Sequence, residues 1–340
     1  MQLHDLSAGD GVLGRMAEVA RAALGRYRLS PGAAVELINV SENATFRVDD
    51  PATGERAVLR VHRLGYHSRA AIESELDWLS ALRADEGIST PRVLPAADGS
   101  RTVIVPDPHG GHPRTCVMFE FLPGAEPGED RLVAGFERLG EVTSRMHRHV
   151  RRWRGPAGFT RFHWDYDAAL GRVSRWGRWQ DGPGMTGEAL ALLGRLDTEL
   201  RGRLAALGTA PDRYGLIHAD LRLANLLVDG DAPPSVIDFD DCGFGWFLYD
   251  LAAAVSFIEH HPQVPAMIDA WLRGYRAVGP PPVAPEEIWT FILFRRLLLV
   301  AWIGSHPGVD TARELGAHYT WQSCELAERY LTGELRGTGA

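Results

Sequence analysis

Residues 214–251 constrain this chain more than any other stretch, because they set polar side chains at fixed intervals inside apolar runs. The polar set is His218, Asp220 and Asn225, followed by Asp238 and Asp240. Leu216 and Ile217 precede the first group, Leu226 to Val228 follow it, and Val236 and Ile237 precede the second. Apolar runs this short, bounded by turn residues, read as short buried strands. They deliver the acids to one spot. Asp229-Gly230-Asp231 is a turn between the strands at 226–228 and 236–237, since Asp and Gly favour turns. The same explanation is open for each other acid taken singly, but it leaves the spacing of the set unexplained.

That spacing is H-x-D-x-x-x-x-N, the spacing of a kinase catalytic loop, and Asp238-Phe239-Asp240 stands where kinases carry a second metal-binding Asp. Phosphoryl transfer is mostly positioning and charge neutralisation. One carboxylate must sit at the attacking hydroxyl and receive its proton, and Asp220 is the candidate. Mg²⁺ takes oxygen ligands, usually one or two carboxylates with phosphates and water, and Asn225 and Asp238 supply such oxygens.

The chain has 340 residues, enough for two domains or one large bilobal unit. Its net charge of −8 argues against a nucleic-acid partner. All of its basic residues are Arg; there is no Lys. Cys116, Cys242 and Cys324 are odd in number, far apart and without a C-x-x-C, so neither a disulfide framework nor a zinc site is expected. No signal pattern opens the chain, and a cytoplasmic location is the default. Residues 288–303 are strongly apolar, but Arg295 and Arg296 interrupt them, so a buried helix rather than a membrane span is expected.

Along the chain, Gly9-Asp-Gly-Val-Leu-Gly14 matches G-x-G-x-x-G but follows no strand, and is assigned to a flexible N-terminus. Strands are expected at 35–40, 45–48 and 57–62. The turn at 41–45, with Ser41 and Asn43, would lie over phosphates. A helix is expected over 68–82, with Ile72, Leu76, Leu79 and Leu82 on its apolar face. Glu75 falls on that face and needs a partner; Arg60 of the third strand is the cation expected for it, with Glu73 the alternative acid. Paired strands follow at 101–105 and 115–121. The inter-lobe hinge is placed at 119–123, where backbone groups of Glu120 and Phe121 would hold adenine. Helices follow over 132–149, 184–207, 247–258 and 285–331. The Trp- and Arg-rich segment 153–181 reads either as packing with a solvated face or as a wall of the substrate pocket with aromatic surfaces for stacking.

Together the strand 58–61, Glu75, the stretches 216–228 and 236–241 and Tyr249–Ala252 resemble the aminoglycoside phosphotransferase and choline kinase-like superfamily, over roughly residues 30–330. The resemblance implies an α+β, bilobal protein-kinase-like fold. A small β-rich N-lobe (1–121) would bind the nucleotide, and a large, mainly helical C-lobe (122–335) would carry catalysis and the acceptor. It implies ATP and Mg²⁺ as cofactors and a small-molecule hydroxyl as acceptor. Arg60 stands in place of the usual Lys, and Asp240 joins Asn225 and Asp238 as a residue near the metals.

A Ser/Thr protein kinase of the bacterial stress-response type is the alternative. Only about ten residues separate Asp238 from Tyr249-Asp250-Leu251, too few for a peptide-substrate platform. A non-catalytic ATP-binding module is a third reading. The acceptor stays open: Asp165, Asp167 and Glu259 would suit a polycation, whereas the Trp/Arg segment would suit an anionic or aromatic compound.

Overall fold

A computed structural model of the chain describes residues 10–40, 43–128, 132–230, 233–281 and 287–335. It divides into two compact units. One comprises Met1–Ala84, Ser89–Pro123 and Gly155–Thr160; the other comprises Asp85–Ile88, Gly124–Arg154 and Arg161–Ala340.

The first unit is built on an antiparallel sheet. Its strands are β1 (Ala34–Val40), β2 (Ala44–Asp50), β3 (Glu55–Val61), β4 (Val93–Leu94), β5 (Val103–Val105) and β6 (Arg114–Glu120), in the order β1-β2-β3-β6-β4, with β5 also pairing β6. Alternation places Ala44, Phe46 and Val48 of β2 on the buried face. That face is covered by helix α1 (Asp10–Leu24), through Met16, Val19, Ala20 and Ala23. The glycine-rich match near the N-terminus therefore corrects to helix from residue 10: Gly11 and Gly14 lie within α1, whose apolar stripe has a sheet face to bury. Helix α2 (Arg69–Glu86) buries Ile72, Leu76, Trp78, Leu79 and Leu82.

The second unit is mainly helical: α3 (Leu132–Arg152), α4 (Tyr166–Leu170), α5 (Gly187–Leu207), α6 (Leu248–Ala254), α7 (Val264–Val278), α8 (Ile288–Ser305) and α9 (Asp310–Leu331). Two small antiparallel ladders sit among them. Strands β7 (Tyr214–Ile217) and β10 (Gly243–Trp246) form one, and β8 (Leu226–Leu227) and β9 (Ser235–Val236) the other. Helices α3 and α7 approach so closely that a Cβ on Gly140 would stand 2.0 Å from the Trp271 carbonyl oxygen, and one on Gly274 1.9 Å from that of Glu137. Only glycine at both positions permits that crossing.

Helix α8 is the centre of this unit. It is the one helix among the described residues long and apolar enough to cross a membrane, yet 89% of that window is buried inside the protein. Arg295 and Arg296 are buried with it, so each guanidinium must find partners inside the unit.

Candidate active site

Strand β7 runs straight into His218-Ala219-Asp220. Ala219 has φ of 67°, in the left-handed region that side chains avoid. The loop is held there by Asp250, in the first turn of α6. Asp250 Oδ1 accepts from the Ala219 N–H at 2.7 Å and Oδ2 from the His218 N–H at 3.3 Å. Asp250 is itself fixed by His147 of α3, whose Nε2 lies 3.0 Å from Oδ2 and whose Nδ1 lies 3.0 Å from the Tyr275 hydroxyl of α7. With the carboxylate ionised, Nε2–H donates to it and Nδ1 accepts from the tyrosine. Three helices thus converge on the backbone of two loop residues.

His218 ties this loop to the next one. Its Nε2 donates to the Ile237 carbonyl at 3.1 Å, so its Nδ1 accepts from the Asp220 N–H at 3.3 Å. A single 3-10 turn, Leu223–Asn225, then leads into β8. The pairing of β8 with β9 places the chain so that the Ile237 N–H donates to the Asn225 carbonyl at 3.0 Å. Asn225 consequently lies opposite Ile237, the residue that precedes Asp238. Asn225 Nδ2 donates to the Asp220 carbonyl at 2.7 Å and to its Oδ2 at 3.1 Å. Its Oδ1 receives no hydrogen bond from a described residue. Asp238 also has a left-handed backbone, φ 62°. Asp240 is 4% exposed, and its carbonyl accepts from the guanidinium of Arg161.

Asp220 meets two cations. Arg222 Nε lies 3.2 Å from Oδ1 and Arg295 Nη2 lies 3.0 Å from the same oxygen. Burial alone would raise this carboxyl, but Arg222 and Arg295 outweigh it and hold the group below the usual carboxylate range. Asp220 is thereby kept ionised and able to accept a proton.

In the first unit, Arg60 Nη1 stands 2.6 Å from Glu75 Oε1, with both residues buried. Glu73, the alternative acid, instead pairs with Arg101 at 2.7 Å and accepts from the Thr102 hydroxyl. Asn43 Oδ1 accepts from the Arg63 N–H at 3.1 Å. Ser41 lies outside the described residues. The Glu120 carboxylate is engaged by Arg83 at 2.9 Å and Arg92 at 2.6 Å, and its N–H donates to the Arg92 carbonyl. The Phe121 ring lies under the Arg56 guanidinium, 4.3 Å away.

The segment 153–181 resolves largely as packing, with Trp164, Trp176 and Trp179 buried. Trp164 stacks on Tyr249 and meets Trp176 edge-on. The acids considered for a polycationic acceptor are differently placed. Glu259 is buried against Arg296, at 2.6 Å, and the Tyr319 hydroxyl, at 2.8 Å. Asp165 caps α4 by accepting from the Ala168 N–H.

Asn225, Asp238 and Asp240 offer hard oxygens. Among the described residues no group of three or more His, Cys, Asp or Glu forms a metal cage. An amide oxygen with one or two carboxylates suits a cation that keeps several waters and phosphate oxygens, as Mg²⁺ does.

Sequence reasoning missed Arg295, Arg222 and Arg161. The signal for Arg295 was present, as two arginines in the middle of an apolar run, but it served only to argue against a membrane span.

Comparison with known proteins adds the following. A family model described as "Phosphotransferase enzyme family" matches residues 35–285. The solved structure of a microcompartment-associated aminopropanol kinase is 47% identical, with TM-score 0.87, covering 94% of this chain and 99% of that one. An amicoumacin kinase in complex with AMP-PNP and Ca²⁺ shares the fold at 22% identity, TM-score 0.74, over 95% of each chain. The amicoumacin kinase of Bacillus subtilis (strain 168) is 29% identical over 211 residues, which span 61% of this chain and 59% of that protein.

Proposed function

Because the chain belongs to the phosphotransferase enzyme family, we propose that it is a small-molecule kinase that transfers the γ-phosphoryl group of ATP to the hydroxyl of a short amino alcohol. One observation carries the chemistry: Asp220 sits at the end of a backbone clamped from three helices, held ionised by two guanidiniums. The acceptor class rests on the likeness to an aminopropanol kinase over nearly the full length of both chains. Local geometry favours a small acceptor. Glu259 is already paired inside the unit, and three tryptophans of the 153–181 segment are core. Neither is then offered to a large polycation or a stacked aromatic ligand.

In this reading the acceptor hydroxyl donates its proton to Asp220 as its oxygen bonds to the γ-phosphorus. The bond from that phosphorus to the bridging oxygen breaks, and ADP leaves with the electron pair. Asn225 and Asp238, with Asp240 beside them, would hold Mg²⁺, which neutralises phosphate charge when bound. Arg60, oriented by Glu75, would carry phosphate charge in place of a lysine, with a planar fork rather than a point charge.

ADP release across a panel of short amino alcohols, choline, homoserine, sugars and aminoglycosides tests the proposal. Expected is a kcat/KM for a short amino alcohol at least about 10²-fold above that for any aminoglycoside. Asp220→Ala should lower it by about 10³-fold or more in a protein that still unfolds cooperatively, at a lower melting temperature because Arg295 loses its partner. Aminoglycosides as the best acceptors would overturn the substrate class, and an unimpaired Asp220→Ala would overturn the mechanism.

A further inference from the structure

Arg295 lies 75 positions beyond Asp220 in the chain, on α8, yet its guanidinium reaches that carboxylate. All three of its nitrogens are committed. Nη2 donates to Asp220 Oδ1 at 3.0 Å, Nη1 to the Tyr249 hydroxyl at 2.9 Å, and Nε to the Ser256 hydroxyl at 3.3 Å. The ring faces of Trp176 and Tyr249 lie 5.2 and 5.4 Å from its central carbon. Its side chain is 2% exposed, and among the described residues Asp220 is its one salt-bridge partner. Arg222, the second cation on Asp220, is far more exposed. Its side chain is 34% exposed, its contacts are 3.2–3.3 Å, and its guanidinium lies over Phe257 at 5.8 Å.

We infer that Arg295 is the positioning residue for Asp220: it fixes the orientation of the carboxylate from inside the fold, while the exposed Arg222 withdraws to admit the acceptor hydroxyl. A buried guanidinium hydrogen-bonded through each of its nitrogens has no low-energy alternative position, because moving it would strand a charge away from water. Asp220 must also give a lone pair to the incoming hydroxyl, and its oxygens already accept from Arg222, Arg295 and the Asn225 amide, so one of these donors has to yield. The solvent-facing one, with longer contacts, can do so and be rehydrated. Arg295 therefore acts on the reaction through Asp220 and need touch neither nucleotide nor acceptor. The inference rests on the proposed role of Asp220.

Steady-state kinetics of Arg295→Met, Arg295→Lys and Tyr249→Phe test it, with the preferred acceptor from the panel and melting curves as the folding check. Arg295→Met is expected to lower kcat by about 10²-fold, the scale of a small misplacement of a reacting group. KM for both substrates should stay within about threefold. Arg295→Lys should recover activity to within about tenfold of the parent, and Tyr249→Phe, which removes only the Nη1 anchor, should lose about threefold or more. Placed on Asp220→Asn, Arg295→Met should change the residual rate by less than about threefold, because its route is already cut. A folded Arg295→Met with kcat within threefold of the parent overturns the inference, as does an equal further loss on Asp220→Asn. Should Arg295→Met not fold, unchanged kcat in both Arg295→Lys and Tyr249→Phe overturns it. Failure of the functional reading is separable: there, Asp220→Ala itself keeps its turnover.

Discussion

At the scale of single residues, the candidate loop combines a strained backbone with a clamp. Ala219 at φ 67° costs about 1–2 kcal/mol relative to an allowed conformation, and Asp250 offsets this by accepting both loop N–H groups. Ala219→Gly is accordingly expected to leave unfolding stability within about 1 kcal/mol of the parent, strain relief opposing the greater entropy of an unfolded glycine. Ala219→Val should lose about 1–3 kcal/mol, as a β-branched residue fits that region worst. Urea denaturation of the pair checks this; equal stability would mean the backbone is not strained. His147 adds a pH dependence. Its burial, only partly opposed by Asp250, holds its pKa below the ordinary 6.5. Below that pH the unfolded chain binds a proton that the folded one refuses, so stability falls as pH drops from about 6.5 toward the depressed value. The slope contributed is at most about 1.4 kcal/mol per pH unit. His147→Gln should flatten the stability profile between pH 7 and 5.5, and an unchanged profile would show that His147 does not titrate there.

At the scale of elements, the crossing of α3 and α7 matters because each helix sends a residue to Asp250 or its support. His147 comes from α3 and Tyr275 from α7. The crossing needs Gly140 and Gly274, where an added Cβ would strike a backbone carbonyl. Gly140→Ala or Gly274→Ala is expected to destabilise by about 3 kcal/mol, the upper end for overpacking, since backbone cannot step aside as a side chain can. Gly194→Ala in α5, where nothing lies within 4 Å, should instead gain about 0.5–1 kcal/mol from helix propensity. Comparing the two melts reads the crossing directly. The elements the sequence left unmarked have physical reasons too. Strand β10 is Gly-Phe-Gly-Trp, without β-branched residues, and becomes a strand by pairing with β7. Helix α6 ends at Ala254, short of the apolar run that suggested 258.

At the scale of the whole molecule, net charge −8 with arginine in place of lysine throughout sets solubility and partner class, not fold. Ligand linkage is the property measurable on the intact chain. ATP with Mg²⁺ at about 100 times its Kd should stabilise the protein by about 2.7 kcal/mol. Chelation of the metal should remove most of that gain. Asp238→Ala, at the same ligand concentration, should gain less than about 1 kcal/mol. A full gain in Asp238→Ala would remove it from the metal ligands, independently of turnover.

Much of the candidate site was legible because its residues are local. His218, Asp220, Asn225 and Asp238 lie within 21 positions, and spacing along two short strands determines where their side chains arrive. The small antiparallel sheet was legible for the same reason, as a hairpin whose alternation specifies its own register. Glu75 as the partner of Arg60 was readable from its place on the apolar face of α2; that Glu73 turns instead to Arg101 needed the structure. Arg295 needed it more. The sequence determined that a charge in an apolar helix must be met by something, since burying it alone is prohibitive. Only the tertiary structure decided that Arg295 meets Asp220 and its neighbour Arg296 meets Glu259. Adjacent residues point about 100° apart on a helix, and which way each faces depends on how α8 is rotated within its unit.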